Sequence, residues 1–515
     1  MRKRHTTARS GGSRAALSML LAALAFLTTF LSAPGFATER PAVRVGFAQQ
    51  EIGSIARANP DYTFRDTLYA KVIWVEDGEE SFGIVSLDMI SVNDALTEAI
   101  RRSVSESLEI PSARLIVCPS HTHSSLRPPQ QELADLIGSV ARTARDSARP
   151  AWVGYSRVEV GPGFVVNRRI TINEAFGDLS IVFARNNRIT EDGKALDVRG
   201  AVIDFIVHGA QTLGRQYADA GVENPRDLET ASPKSLALLA TLPTSMPLTG
   251  PVDAHLEALS FRDESGKVIG TLVRFACHPT SFRGSRTLQY SADYPGVLCE
   301  VISEATGGAP AHFVLGPCGN TKPFAEEFGE EPMVKMGTGL GRLLATEMEK
   351  AEFAPLTRIY WEQQVRDFPV APDLKDITPE MEEEASAAFS RMAATAFDPY
   401  ELKVAHDRML RAWAAQSKRK EGVHRLPFTV IGFNDVTIAT MPGEVFAEHG
   451  LAIKDRFPGK GIIVTGITDT GSPSYVPTRD AFARGGYGVG NSALPAGAGE
   501  RMVEILIEML DRYYE

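Results

Sequence analysis

Short apolar segments alternate with longer amphipathic segments along most of this 515-residue chain. The short segments are rich in branched and aromatic residues, as buried strands are, and the longer ones repeat apolar residues at helical spacing. The predicted strands are residues 43–47, 71–75, 82–87, 114–118, 200–206, 271–277, 312–315, 428–432, 436–440 and 461–465. The predicted helices are residues 94–108, 131–147, 333–350, 381–394, 399–415 and 498–513. This alternation predicts an α/β or mixed α+β fold with a large sheet core flanked by helices.

Several predicted strands run directly into residues that can do chemistry. Ligands in open α/β sheets collect beyond the carboxyl ends of the strands. We therefore expect an active site at the C-terminal ends of the strands, assembled from segments far apart in the sequence.

Histidines follow two of these strands. His121 and His123 come after strand 114–118, and on extended backbone two residues at this spacing point to one face and could share a metal ion. His278 ends strand 271–277, where Pro279 favours extended geometry. The alternative for each histidine is a surface position or a packed core position.

Oxygen donors follow two later strands. Glu444 lies in a Pro-Gly-Glu turn after strand 436–440, at the predicted start of a helix, where it is either a first-turn acid or a metal ligand. Tyr475 and Tyr487 lie in glycine-containing loops after strand 461–465, where tyrosines either pack or reach a site. Two imidazoles, a carboxylate and a phenol form a ligand set that zinc accepts.

These segments, in this order, resemble the neutral/alkaline non-lysosomal ceramidase family. The matching stretches are Ser120-His121-Thr122-His123-Ser124, Val166-Asn167-Arg168-Arg169, Ala276-Cys277-His278-Pro279, Ser291 to Gly296, Pro442-Gly443-Glu444-Val445-Phe446 and Tyr475-Val476-Pro477-Thr478. The resemblance extends from about residue 43 to the C-terminus. The matching stretches do not include the C-terminal β-sandwich domain of the family, so we expect a catalytic domain only.

The resemblance implies a role for each matching residue. It implies that His121, His278, Glu444 and Tyr475 bind Zn²⁺ and that His123 lies beside the metal-bound water. It also implies that Arg168 and Tyr487 orient or stabilise the carbonyl oxygen of the substrate. The expected reaction is hydrolysis of an amide (N-acyl) bond by metal-activated water.

One position departs from the family pattern. Lys322, in Gly319-Asn320-Thr321-Lys322-Pro323, stands where the family has an active-site serine, so it holds a substrate anion, donates a proton to the leaving group, or occupies a position whose role is not needed here. Three functions therefore stay open. The first is a zinc amidohydrolase of small or lipid N-acyl compounds. The second is a zinc hydrolase of a polar ester or short amide anchored by Lys322, and the third is a ligand-binding protein without catalysis.

The first 37 residues resemble a secretory signal. Residues 1–14 are basic, residues 15–31 are uncharged and apolar, and small residues follow up to Ala37. We expect cleavage there and export to the periplasm or outside the cell; an uncleaved membrane anchor is the alternative. The mature domain would then be residues 38–515, with a helical hairpin at 371–425.

The net charge restricts the kinds of binding partner, and the cysteine content bears on disulfide formation. The formal net charge of −10 argues against nucleic acid as a partner and allows at most transient contact with anionic membranes. The oligomeric state is not predicted. The four cysteines, Cys118, Cys277, Cys299 and Cys318, are either buried apolar side chains or members of disulfides.

Overall fold

The computed structural model describes residues 41–55, 60–111, 114–181, 188–190, 194–202, 233–282, 288–324, 329–393, 399–418 and 422–515. Helices pack on several sheets within these ranges, which confirms the predicted mixed α+β class. The predicted signal peptide, residues 1–37, lies outside the described residues.

Three larger sheets form the framework. The first has the order β5-β4-β3-β1-β6, from β1 (Arg44–Glu51), β3 (Tyr69–Glu76), β4 (Ser81–Leu87), β5 (Leu115–Pro119) and β6 (Arg149–Pro150). The second has the order β16-β14-β13-β7-β18, from β7 (Trp152–Glu159), β13 (His255–Arg262), β14 (Val268–Phe275), β16 (Ala311–Leu315) and β18 (Phe353–Pro355). The third has the order β19-β20-β21-β23, from β19 (Ile359–Pro369), β20 (Val423–Phe433), β21 (Val436–Thr440) and β23 (Gly461–Thr465).

Short strand pairs and helices complete the framework. The pairs are β2 (Thr63–Phe64) with β15 (Gln289–Tyr290), β8 (Val165–Asn167) with β17 (Thr321–Pro323), β9 (Arg169–Asn173) with β10 (Gly177–Ser180), β11 (Ala195–Leu196) with β12 (Met246–Pro247), and β22 (Glu444–Val445) with β24 (Tyr475–Val476). The helices are α1 (Asp94–Leu108), α2 (Gln130–Asp146), α3 (Pro233–Thr241), α4 (Asp293–Ala305), α5 (Glu330–Met348), α6 (Pro372–Lys375), α7 (Pro379–Ala393), α8 (Pro399–Lys418), α9 (Ala447–Arg456), α10 (Arg479–Arg484), α11 (Tyr487–Gly490) and α12 (Ala498–Tyr514).

One arrangement of elements occurs three times, although the sequence shows no repeat. Each unit has three antiparallel strands, a crossover helix, a fourth strand parallel to the third, and a second helix packed on the first. The elements are β1, β3, β4, α1, β5 and α2 in the first unit; β7, β13, β14, α4, β16 and α5 in the second; and β19, β20, β21, α9, β23 and α12 in the third. The parallel pair in each unit directs two strand ends toward the same edge of its sheet.

The inner faces of the three sheets share one core. Its members include Ile73, Ile84 and Ile116 from the first sheet, Leu259, Leu272 and Val314 from the second, and Ile431, Ile438 and Ile463 from the third. Each such buried side chain stabilises the fold by roughly 1.5–3 kcal/mol. The helices cover the outer faces, so central strands such as β3, β4 and β14 are buried on both sides.

Backbone hydrogen bonds fasten the units together where these strands end. The N–H of Gly466 in the third unit donates to the carbonyl of Leu315 in the second, at 2.8 Å. The N–H of Asp469 donates to the carbonyl of Val117 in the first, also at 2.8 Å. The loops that leave the C-terminal strand ends are thereby gathered in one place.

One predicted strand is wrong. Residues 198–202, the described part of that region, are helical, while residues 203–206 lie outside the described residues. The Asp197 side chain accepts a hydrogen bond from the N–H of Gly200 at 3.0 Å, as a residue preceding a helix does. Local capping therefore outweighs the apolar run that suggested a strand.

Two further observations concern the whole described chain. Among its described helices, none is both long and apolar enough to cross a membrane. All four cysteines are described, and each is a buried free thiol rather than part of a disulfide.

Candidate metal centre

The loop after β5 carries His121 in an unusual backbone conformation. The N–H of His121 donates to the carbonyl of Met89 at 2.8 Å, and its φ of 66° lies in the left-handed region. The extended backbone expected for His121 is therefore wrong, because the chain reverses here. Its ring Nδ1 lies 2.6 Å from the carbonyl oxygen of Ile90. Strain of this kind is held in place only by surrounding structure and is common at functional sites.

The loop after β14 carries His278, which is almost fully buried. Its Nδ1 lies 2.7 Å from the carbonyl oxygen of Cys318, in the loop after β16. The two parallel strands of the second unit thus cooperate: one supplies the histidine, and the other supplies the acceptor that orients it.

Glu444 belongs to a short strand and not to a helix, contrary to the prediction. It lies in β22, in register with Tyr475 of β24, and α9 begins only at Ala447. Gly319 makes this arrangement possible, because a Cβ atom on it would lie 2.3 Å from the carbonyl oxygen of Glu444. The close backbone approach brings the second and third units together behind the carboxylate.

These three loops bring the nitrogen and oxygen donors to one point. Oε2 of Glu444 lies 3.2 Å from Nε2 of His278 and 3.6 Å from Nε2 of His121. Ligand atoms of His121, His123 and His278 also lie within 4.8 Å of one another. The histidines and the glutamate predicted to meet are therefore neighbours in space.

The protonation pattern of the two buried rings indicates what lies between them. A carbonyl oxygen only accepts hydrogen bonds, so Nδ1 carries a proton in both His121 and His278, and in a neutral ring Nε2 presents a lone pair toward Glu444. A second proton on His278 would compensate the carboxylate, but burial, followed by the charge of Arg168, lowers the pKa of His278 to about 4. Nε2 of His121 is buried without a hydrogen-bond partner in the described structure.

The carboxylate itself is charged. Burial opposes ionisation of Glu444, whereas positive charge at the positions of His121 and His278 holds its pKa well below the usual range. Two lone pairs facing a carboxylate in a buried position repel one another unless a cation separates them. Both rings also have the carbonyl partner on Nδ1 that metal-binding histidines typically have. The donors at this position therefore fit a divalent metal ion such as zinc.

Arg168 joins the second oxygen donor to this group. Its buried guanidinium donates from Nη2 to the phenolic oxygen of Tyr475 at 2.9 Å and to the carbonyl oxygen of Gly319 at 2.7 Å. Burial and the nearby Glu444 carboxylate raise the pKa of Tyr475 well above its usual range. The ring of Tyr487 lies 5.6 Å from that of Tyr475, and the guanidinium lies 5.9 Å from the Tyr487 ring.

His123 differs from the other two histidines because its side chain is exposed. Its ring centroid lies 4.9 Å from that of His121 and 5.9 Å from that of His278. Its backbone N–H donates to the carbonyl of Pro279 at 3.4 Å, which links the two histidine loops directly. A nitrogen of His123 can therefore reach either the metal position or a molecule bound beside it.

Lys322 is buried in β17, directly opposite Val166 of β8. Opposite residues in an antiparallel pair share a face, so Lys322 lies on the side of Val166 and, two residues further, Arg168. The neighbouring Thr321 faces away, because its hydroxyl donates to the carbonyl of Ala276 at 3.1 Å. Lys322, and not Thr321, is thus the residue on the Arg168 side of the β8–β17 pair.

The sequence analysis assigned no role to several residues that fix the loops from behind. The side chain of Asn320 donates to Glu448 at 2.7 Å and accepts the N–H of Ala447 at 2.9 Å, which fastens the start of α9 to the loop after β16. The hydroxyl of Thr122 donates to the carbonyl of Ser291 at 2.7 Å. These partners lie far apart in sequence, and no local pattern announces them.

No protein-family model matches the sequence, and no curated protein matches it. Among solved structures, the chain is similar to neutral ceramidase from Pseudomonas aeruginosa, with a TM-score of 0.59 and 15% identity over 92% of this chain and 74% of that one. The chain has a ceramidase-like fold. It is also similar to a ceramidase complexed with C2, with a TM-score of 0.57 and 13% identity over 92% of this chain and 75% of that one. At these sequence identities the similarity shows the fold alone, so any inference about activity has to come from the residues of the site.

Proposed function

We propose that this protein is a zinc-dependent hydrolase that cleaves an amide bond. The observation that carries the proposal is the convergence of the Nε2 atoms of His121 and His278 on the carboxylate of Glu444, a donor set that suits a divalent cation. The ceramidase-like fold supports a hydrolase that acts on an N-acyl compound.

His121, His278, Glu444 and Tyr475 would hold the metal ion. A bound zinc ion would polarise a substrate carbonyl and lower the pKa of a coordinated water molecule. Zinc is favoured over magnesium or calcium because two imidazoles are present, and those ions prefer ligand sets made of oxygen.

The remaining residues act on the substrate. Arg168 places a fixed positive charge beside the Tyr475 phenol, where it would favour negative charge on the carbonyl oxygen as the bond breaks. Tyr487, next to Tyr475, would orient the same oxygen. His123 lies beside the buried histidines, and burial lowers its pKa well below the usual range, so a neutral His123 is suited to accept a proton and pass it to the leaving amine.

A second candidate follows from Lys322. A buried ammonium on the Arg168 side of the β8–β17 pair would favour a substrate with a carboxylate, such as a polar ester or a short amide. A long N-acyl chain without an anionic group would gain nothing from it. The substrate class is therefore the point at which the two candidates separate.

Metal analysis of the purified protein tests the proposal. We expect close to one zinc ion per chain, and loss of this zinc in His278→Ala. The control is His312→Ala, because His312 is also fully buried but neither of its ring nitrogens has a hydrogen-bond partner in the described structure. That control should lose stability and keep zinc, whereas a folded wild-type protein without metal would overturn the proposal.

We also propose that the protein is exported. The basic and apolar N-terminal segment would direct the chain across a membrane and be removed after Ala37. N-terminal sequencing of the protein recovered from outside the cytoplasm would test this, since an intact Met1 would contradict cleavage.

A further inference from the structure

Two exposed and two half-buried side chains form an apolar surface around the short strands β2 and β15. We call Tyr62, Phe64, Leu288 and Tyr290 the aromatic patch. Phe64 is 43% exposed and Leu288 is 47% exposed, although both are large and apolar. The Tyr290 ring lies 5.0 Å from that of Tyr62 and 5.2 Å from that of Phe64. These rings therefore form a continuous surface and are not scattered apolar residues.

The backbone holds this surface at a cost. Leu288 has a φ of 53°, in the left-handed region that disfavours side chains with a Cβ atom. Its carbonyl accepts the N–H of Thr63 at 3.0 Å, which fixes the turn to β2. Leu288 is therefore held in a costly conformation with about half of its side chain in water, where an apolar contact would stabilise it.

The aromatic patch is joined to the metal centre by the next residue. Ser291, directly after Tyr290, donates its N–H to the carbonyl of Ser124 at 2.9 Å, and its own carbonyl accepts the Thr122 hydroxyl at 2.7 Å. Thr122 and Ser124 flank His123 in the histidine loop. A surface bound to the patch would therefore lie beside the exposed histidine.

We propose that the aromatic patch docks the protein on the surface of a zwitterionic lipid bilayer. Tyrosine and phenylalanine are suited to the boundary between headgroups and acyl chains, because their rings are apolar and the tyrosine hydroxyl can remain in the polar layer. Four side chains are few beside the roughly 20–30 residues per partner of a stable protein interface. The net charge of −10 disfavours anionic lipid. Membrane docking rests on the proposed function in one respect only: docking would allow the enzyme to take an N-acyl lipid from the bilayer.

Vesicle sedimentation tests the docking surface without any hydrolysis. We expect the full chain to bind phosphatidylcholine vesicles, and to bind vesicles containing phosphatidylglycerol more weakly at low salt. The variant Phe64→Ser with Leu288→Ser should bind at least about tenfold more weakly, because it removes the two most exposed apolar side chains of the patch. The control variant is Val365→Ser with Val423→Ser, which removes side chains that are 44% and 49% exposed on the third sheet.

The outcomes separate this proposal from the function. Equal vesicle binding by both variants, or no binding by the wild type, overturns the docking surface. Concentration-dependent dimers that only the patch variant loses would also overturn it, in favour of contact between two copies. Zinc content is measured on the same samples, so vesicle binding by a protein without metal would leave the docking surface intact and defeat the hydrolase.

Discussion

The guanidinium of Arg168 donates a hydrogen bond of 2.9 Å to the phenolic oxygen of Tyr475. The same Nη2 atom donates to the carbonyl oxygen of Gly319 at 2.7 Å, so two acceptors fix one end of the planar group. Lysine is not an equivalent replacement, because its ammonium is a point charge on a flexible stem and does not have the fixed planar geometry of the guanidinium.

We therefore predict that Arg168→Lys lowers kcat by about 10²-fold while zinc content stays near that of the wild type. Steady-state kinetics and metal analysis of the same preparation measure the two effects. Arg157→Lys is the control, since Arg157 is exposed on β7 and should behave like the wild type. An unchanged kcat in Arg168→Lys would remove Arg168 from the reaction.

The two tyrosines should respond differently to loss of the hydroxyl. Tyr475 is the proposed ligand, so Tyr475→Phe should weaken zinc affinity, by about 10–100-fold. Tyr487→Phe should retain zinc and lose kcat, because its hydroxyl is assigned to the substrate. Competition with a chelator reports the zinc affinity, and equal affinities in the two variants would contradict the assignment.

Replacing Lys322 separates the two substrate classes. Lys322→Met keeps the stem of the side chain and removes its charge, so it should raise KM for a carboxylate-bearing amide or ester if Lys322 anchors that group. Lys322→Ser introduces the residue that the resembling family has, and it should increase cleavage of an N-acyl sphingoid base if the lipid is the substrate. A panel of short and long N-acyl compounds measures both effects. No change with any substrate in either variant would exclude Lys322 from recognition.

The buried Asp469 should make stability depend on pH. Burial raises its pKa from 3.8 to about 6, although Arg101 lies 3.3 Å away. Below about pH 4 both folded and unfolded chains are protonated at this position, and the residue costs nothing. As pH rises toward 6 the unfolded chain ionises first, so the folded state loses about 3 kcal/mol by pH 7.

The variant Asp469→Asn isolates this effect. Asparagine tolerates the left-handed φ of 64° and can still accept the N–H of Val117, now at 2.9 Å. Its stability relative to the wild type should increase between pH 4 and pH 6 and then stay level. Urea unfolding in the presence of a chelator gives this difference without a contribution from metal, and a difference that does not vary with pH would contradict the raised pKa.

The strand ends that carry the site could be predicted from the sequence. The segments of β5, β14 and β21 are largely apolar because these strands are buried, and a histidine or glutamate follows each of them within four residues. The helix after Glu444 was placed too early. The pairing of β22 with β24 that holds this residue uses backbone atoms, which leave no signal in the side chains.

Other elements were missed because polar or turn-forming residues interrupt the pattern. β13 contains Glu257, whose buried carboxylate is compensated by Arg274 at 3.1 Å and Lys454 at 2.8 Å. The first turn of α4 contains Pro295 and Gly296, which read as a loop. In both places tertiary partners compensate for residues that the local pattern disfavours. The threefold recurrence of units was also invisible, because only the backbone arrangement repeats.

Each of the three recurring units contributes a residue to the candidate centre, although not from the same strand end. His121 follows the fourth strand of the first unit, His278 the third strand of the second, and Glu444 the third strand of the third. A cation bound by residues of all three units would link them, since removing any one unit would remove a metal ligand. Metal uptake would then require all three units to be folded together, and a chain truncated at a unit boundary would have an incomplete set of metal ligands.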